Sequence, residues 1–509
     1  MTGRGRISTN AAYQLFAQVG VLALNLVASP LIVHGLGLEA YGLLVLVGVT
    51  TNYFGFVELG LGRATIQVLA QHRTRGENDE FREVFWTASA AYLALSVVGA
   101  VALVVAAPWI VKSVLAVSPA FVPQAIHAFW IGAAGLVVTM QRDVASSVAT
   151  AMERFDLIGR LTLFIGLLQT VVNVGLVLWG FPLTGVMLGG LAVQGLALAV
   201  YWVIAFAVAP KLRPLRIQLS RLRGLLRFGG YVTVSQVVGP LLVHSEKVFI
   251  GAFATVQQLP YYAVPYNLSW ALTAVPTSLV SVIYPALVRL RAQGDAAGVR
   301  ETVRRSTRYV FVALLGPVVI LVVYAREILT VWMGADFAVQ ASGCLRILAI
   351  AVLANVMAWP AYQLLHAAGR ADLTARYHVV ELVIHIPASI LLISQLGVLG
   401  AAIAWLLRVA IDSAFLLRAA AEVAGMPAHF LAREMFGRAV GVAVLLLPFL
   451  WILRGVAGAG SRAGAALSLG AIGVCYVAPV VWLGLGREEH RTILTAIRAL
   501  MARPERTRG

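Results

Sequence analysis

Residues 183–227 read LTGVMLGGLAVQGLALAVYWVIAFAVAPKLRPLRIQLSRLRGLLR, and this stretch decides the fold. It opens on an uncharged apolar run, and a helix needs about 20 such residues to cross a bilayer. It closes on Lys211, Arg213, Arg216, Arg221, Arg223 and Arg227 crowded into one gap. The same sorting runs along the chain. Arg73 and Arg75 share one gap, Arg154 and Arg160 lie two gaps later, and Arg289, Arg291, Arg300, Arg304 and Arg305 fill another. The intervening gaps at 34–40, 181–184 and 254–260 carry no Lys or Arg. Lys and Arg collect in cytoplasmic loops, so the alternation describes a multi-spanning helical protein with successive loops on opposite sides.

Composition excludes the soluble classes. The 509 residues are 60% hydrophobic and only 12% charged, where soluble domains carry about 25% charge. The net charge of +17 is a basic face toward anionic cytoplasmic lipid, and no nucleic-acid partner is expected. Cys344 and Cys475 have no CxxC or metal spacing and read as buried thiols. Arg4 and Arg6 precede an apolar segment without a small-residue cleavage site, so that segment is expected to remain as the first span.

Fourteen spans are expected, near 10–34, 40–60, 84–108, 121–146, 157–180, 184–208, 228–252, 262–286, 309–326, 343–366, 373–395, 398–418, 435–453 and 463–485. With Arg4 and Arg6 inside, an even number returns the C-terminus to the cytoplasm, in keeping with a tail rich in Arg from Arg487 to Arg508. Short Gly-containing joins recur about 215–220 residues apart, at 183–189 and 398–404 and again at Tyr41 and Tyr261. This matching punctuation suggests two six-helix halves, 1–210 and 211–425, two added helices at 426–486, and a basic cytoplasmic tail at 487–509. Parallel repeats of this kind characterise transporters, whose site lies between the halves near the midplane.

Residues 36–67 read LGLEAYGLLVLVGVTTNYFGFVELGLGRATIQ. The first span ends in Leu36-Gly37, then Glu39 and Tyr41-Gly42, and the second closes on Glu58-Leu59-Gly60-Leu61. The second half has Leu226-Arg227-Phe228-Gly229, Glu246-Lys247, Phe249-Ile250-Gly251, Trp332-Met333-Gly334 and the turn at 396–404. In order and spacing the chain resembles the polysaccharide-type, Wzx-like flippases of the multidrug/oligosaccharidyl-lipid/polysaccharide exporter superfamily. Glu58 departs from the family's usual Asp. The resemblance implies an all-α integral membrane protein with a V-shaped transporter fold of two six-helix bundles plus two C-terminal helices. It also implies translocation of a lipid-linked oligosaccharide, carried on undecaprenyl pyrophosphate, at the bacterial inner membrane. Polysaccharide polymerase or assembly proteins are expected as further partners, with no cofactor and no enzymatic activity.

An ionisable residue within a span costs about 3 kcal/mol on insertion scales, so it faces a cavity or a partner. Lys247, Arg346 and Arg408 are the substrate-binding candidates, because cations attract pyrophosphate, Arg with bidentate geometry and Lys as a point charge. Glu58, Glu246, Asp412, Glu381, His378 and His385 are the coupling or gating candidates. Arg408 and Asp412 are one helical turn apart. His378, Glu381 and His385 share one face, but without HExxH or a third strong ligand no metal is expected. Arg63, Arg142 and Asp143 stand near cytoplasmic helix ends, where a gate salt bridge competes with a solvated interface. Tyr261, Tyr262, Tyr266, Asn267 and Trp270 suit either sugar contact or an interfacial aromatic belt.

Three other readings compete. A drug or cation exporter of the same superfamily is expected to carry an acidic cavity. A glycan polymerase or ligase needs a large outward loop, and the longest outward gaps here, at 109–120 and 327–342, are short and hold no nucleophile constellation. An assembly scaffold is expected to show no transport.

Overall fold

The computed structural model describes residues 3–54, 61–218, 220 and 241–427, and among them every regular element is helical. In chain order these are α1 (Gly3–Leu36), α2 (Leu38–Phe54), α3 (Leu61–Arg75), α4 (Asn78–Trp109), α5 (Val122–Ala151), α6 (Phe155–Leu178) and α7 (Leu183–Val208). Residues 241–253 form α8. Then come α9 (Pro260–Ala271), α10 (Ala274–Ala292), α11 (Ala296–Val323), α12 (Ala325–Met333), α13 (Ala335–Met357), α14 (Trp359–Ala367), α15 (Ala371–Leu396) and α16 (Val398–Ala424). Eight helical runs among the described residues are long and apolar enough to cross a bilayer. The expected spans near 435–453 and 463–485 lie outside the described residues.

Side-chain exposure explains what the composition requires. Val105 is 74% exposed, Val203 68% and Val383 69%. Such residues face a solvent that must itself be apolar, since in hydrocarbon a helix satisfies all its backbone groups internally and needs no polar outer face. The chain is a multi-pass membrane protein.

Two expected spans run differently. The span at 262–286 is broken into α9 and α10. Pro276 has no N–H to donate and its ring crowds the carbonyl four residues earlier, so the helix tightens at Leu272 and Thr273, which bond back to Ser269 and Trp270. The span at 343–366 starts earlier, at Ala335, and is interrupted before Pro360 at the start of α14.

The helices cluster into two compact units. One holds the residues up to Asn267 with His378–Ala404, the other Leu268–Tyr377 with the residues from Trp405 on. In the first, α1 packs on α6 and α5 on both α4 and α7, with Phe85, Tyr92 and Leu136 in the core. In the second, α11 packs on α10 and α13, and α10 on α14.

Backbone punctuation repeats along the chain. Left-handed residues end helices at Gly76, Glu153 and Gly180, and again at Gly294, Gly369 and Gly397, each pair about 217 residues apart. The hydrogen bonds repeat too. Gly76 and Glu77 donate to Arg73 and His72, as Gly294 and Asp295 donate to Arg291 and Leu290. Arg154 pairs with Asp156 at 3.1 Å at the start of α6, and Arg370 with Asp372 at 3.1 Å beside α15.

The stretch at 36–42 holds its unit together. Gly37 turns the chain at φ +83°, a conformation open to glycine at no steric cost. Glu39 then accepts from the Ser118 backbone N–H and hydroxyl, both at 2.7 Å. The Ala116 N–H donates to the Gly251 carbonyl at 2.8 Å, and Val256 donates to Ala116 at 3.3 Å. A Cβ on Gly42 would lie 2.2 Å from the Val256 carbonyl oxygen, so only glycine allows α2 to approach that turn. On the basic side, Arg73 donates to the Ala151 carbonyl at 2.9 Å, placing a cation at the negative end of α5.

Candidate functional site

Two polar clusters lie among the apolar helices of the first unit. The first is built on α8, where Ser245, Glu246 and Lys247 are 4%, 0% and 7% exposed. Consecutive helical residues point about 100° apart, so Glu246 and Lys247 meet different partners. Glu246 lies 3.1 Å from His385 Nε2 on α15. The same ring is 3.2 Å from Ser245 Oγ through Nε2 and 3.2 Å from Ser389 Oγ through Nδ1. Lys247 Nζ instead sits 4.4 Å from the centre of the Tyr266 ring, a cation–π contact. Tyr266 stacks on Tyr262, ring centres 5.9 Å apart. Both tyrosines are buried, so within their unit they are core residues and not an interfacial belt. Tyr261 is half-buried and Asn267 exposed.

The second cluster joins α5, α6 and α7. The Arg142 guanidinium donates through Nη1 to Gln194 Oε1 at 2.7 Å, and through Nε and Nη2 to Asp143 Oδ1 at 3.1 and 2.9 Å. Gln194 Nε2 donates to Gln169 Oε1 at 3.0 Å, and Gln169 Nε2 to Asn173 Oδ1 at 3.0 Å. Arg only donates, so Gln194 must present its oxygen, and each amide along the chain is oriented by the one before it. Two adjoining cavities of about 460 and 470 Å³ open on this chain of bonds. Arg142, Asp143, Gln169, Asn173 and Gln194 line both. Arg142 is not at the helix end: it lies nine residues before Ala151, about 13 Å inside at 1.5 Å per residue.

The two clusters occupy matching places in the repeat. Gln169 and Asn173 are four residues apart on α6, as His385 and Ser389 are on α15, at the offset of the helix-ending turns. One station is neutral and the other ionisable.

The remaining sequence candidates fall as follows. His378 is half-buried and Glu381 2% exposed on α15. Arg346 is half-buried on α13 of the second unit. Arg408 and Asp412, one turn apart on α16, are each 8% exposed. Glu58 and the Arg63 side chain lie outside the described residues. Sequence reading missed Gln169, Asn173 and Gln194, because a search for intramembrane charge passes over amides. The available signal was three amide side chains inside otherwise apolar runs.

Comparison with known proteins bears on the family and the fold. Residues 36–342 match the family described as "Polysaccharide biosynthesis protein". The protein of Shigella flexneri named "Putative O-antigen transporter" is 24% identical over 423 residues, covering 81% of this chain and 96% of that protein. The solved structure of the lipid II flippase MurJ in an inward closed conformation aligns with a TM-score of 0.71 at 11% identity, over 92% of this chain and 98% of that one. An inward-facing multidrug resistance MATE family transporter of the MOP superfamily aligns at 0.66 and 14% identity, over 81% of this chain and 96% of that one. At these identities the structures establish the shared transporter fold.

Proposed function

Because the chain belongs to the polysaccharide biosynthesis protein family, we propose that it flips a lipid-linked oligosaccharide from the cytoplasmic to the outer face of the membrane for surface polysaccharide synthesis. The carrier is undecaprenyl pyrophosphate, the membrane is the bacterial inner membrane, and both termini are cytoplasmic. The observation that carries the reading is a polar-lined cavity of about 470 Å³ among helices built to sit in hydrocarbon. A sugar head must cross about 30 Å of hydrocarbon, and a polar cavity removes that barrier while the polyprenyl tail stays in lipid.

Lys247, Arg346 and Arg408 form the pyrophosphate-facing set in this proposal. Burial of Lys247 and Arg408 supports it, since a charge so deep in an apolar bundle needs a purpose or a partner. Glu246, His385, Glu381, His378, Asp412 and Glu58 serve coupling or gating. Residues 1–210 and 211–425 rock between inward- and outward-open states around the site. An anion leaving a negative interior runs down the potential, and two charges at 100 mV gain about 4.6 kcal/mol. No cofactor or chemical step enters. Polymerase or assembly proteins receive the product outside.

Reconstitution tests this. The host's lipid-linked oligosaccharide, labelled on its sugar, is placed in proteoliposomes, and its accessibility to an impermeant reagent is followed. Protein-dependent movement between leaflets is expected; no movement above protein-free vesicles overturns the proposal, and an assembly scaffold then stands in its place.

A further inference from the structure

We infer that the Arg142–Gln194–Gln169–Asn173 chain is a subsite that reads neutral sugar residues of the glycan, distinct from whatever holds the pyrophosphate. The inference rests on the flippase reading above and deepens it, naming the groups of that polar-lined cavity that meet the glycan and the class of sugar they take.

Three observations carry it. The first is charge. Arg142 spends two of its donor groups on Asp143 Oδ1, at 3.1 and 2.9 Å, so the cluster is an ion pair followed by three amides and carries no net charge. A pyrophosphate entering it would meet the Asp143 carboxylate beside a guanidinium already neutralised. A drug cation would find no net negative charge.

The second is unspent hydrogen-bonding capacity. A guanidinium has five N–H groups and a primary amide two. The bonds of the chain leave two N–H groups on Arg142, one each on Gln194 and Gln169, and both on Asn173. Asp143 supplies acceptor capacity beside them. Donors and acceptors fixed in place, without net charge, match the hydroxyl and acetamido groups of neutral sugars. The orientation is set in advance, because each amide is held by the one before it.

The third is space. The cavities of about 460 and 470 Å³ fall within the roughly 300–1,000 Å³ of small-molecule sites. A network serving only to join helices needs no such volume beside it. The repeat gives the division of labour: α6 offers Gln169 and Asn173 where α15 offers His385 and Ser389. The neutral repeat reads sugar, and the ionisable repeat is left for charge.

The test uses the full-length protein in nanodiscs and three probes. These are undecaprenyl pyrophosphate alone, the lipid-linked oligosaccharide that accumulates in cells lacking this protein, and the free glycan released from that lipid by mild acid. Asn173→Leu and Gln169→Leu are each expected to weaken binding of the oligosaccharide lipid about tenfold while leaving undecaprenyl pyrophosphate within twofold. The free glycan competes with the oligosaccharide lipid on the native protein and loses that ability on either variant. Asn173→Asp keeps the shape but replaces two donors with acceptors, and is expected to behave like Asn173→Leu with an unchanged melting temperature.

Equal weakening of both lipids overturns the inference, as does lowered melting temperature in all three variants without ligand selectivity. So does native protein that binds both lipids alike. If the native protein binds neither lipid, the flippase reading itself fails, an outcome distinct from loss of sugar selectivity.

Discussion

Replacing His385 with Ala is the sharpest test of the α8–α15 contact. His385 and Glu246 are 1% and 0% exposed at the side chain and 3.1 Å apart. Removing one partner of a buried pair leaves the other uncompensated, at about 3–5 kcal/mol. The cost is taken at the lower end, about 3 kcal/mol, and includes loss of the ring's contacts to Ser245 and Ser389 Oγ, each 3.2 Å away. Glu246→Gln keeps the shape and removes the carboxylate, and is expected to cost about 1 kcal/mol. The double variant leaves no charge stranded by loss of the imidazole, so its cost falls about 2 kcal/mol below the sum of the singles, within the range of coupled contacts. Unfolding in mixed micelles, followed by tryptophan fluorescence, measures all three. Costs that add within about 0.5 kcal/mol refute the reasoning. So does a stable His385→Ala, which shows that the pair carries no stability.

The same measurement applies to the turns that hold the first unit. Gly42→Ala drives a Cβ to 2.2 Å from the Val256 carbonyl oxygen and is expected to cost about 3 kcal/mol. Gly48→Ala on the same helix meets nothing within 4 Å and is expected to gain about 0.5 kcal/mol from reduced backbone freedom. Equal melting temperatures for the two variants contradict the close approach. Glu39→Gln weakens two charge-assisted bonds to Ser118 and is expected to cost about 2 kcal/mol. Hydrogen exchange at Ser118 rises with it; unchanged protection shows that the carboxylate does not hold the turn.

Much of the fold was legible because the bilayer imposes its own grammar. Runs such as 183–208 have to be helices, since hydrocarbon offers no other partner for backbone groups. The repeat was legible only at its joins, where glycine marks a turn. At Glu153 the left-handed position is held by a residue with a Cβ, so a scan for glycine finds Gly369 but not its counterpart. The break between α9 and α10 was available in Pro276, but average hydropathy across the segment conceals it. Ionisable residues within spans stood out, and the turn of about 100° between adjacent helical residues separates the partners of Glu246 and Lys247. Which partners was not legible: His385 is about 140 residues away along the chain, and only folding brings it near. Gln169, Asn173 and Gln194 were passed over for another reason. Amides carry no charge, and their importance lies in mutual orientation, which spacing along one helix does not show.

The most direct test of the central claim is flipping in proteoliposomes under an imposed potential of about 100 mV, negative on the donor side. The native protein is compared with the triple variant Lys247→Met, Arg346→Met, Arg408→Met, each verified as folded. The expected result is potential-driven movement of the lipid-linked oligosaccharide by the native protein, reduced at least about tenfold in the triple variant, which corresponds to about 1.4 kcal/mol or more in the barrier. Equal rates for the two proteins would contradict the assignment of these cations to the pyrophosphate, and absence of movement by either would contradict transport itself.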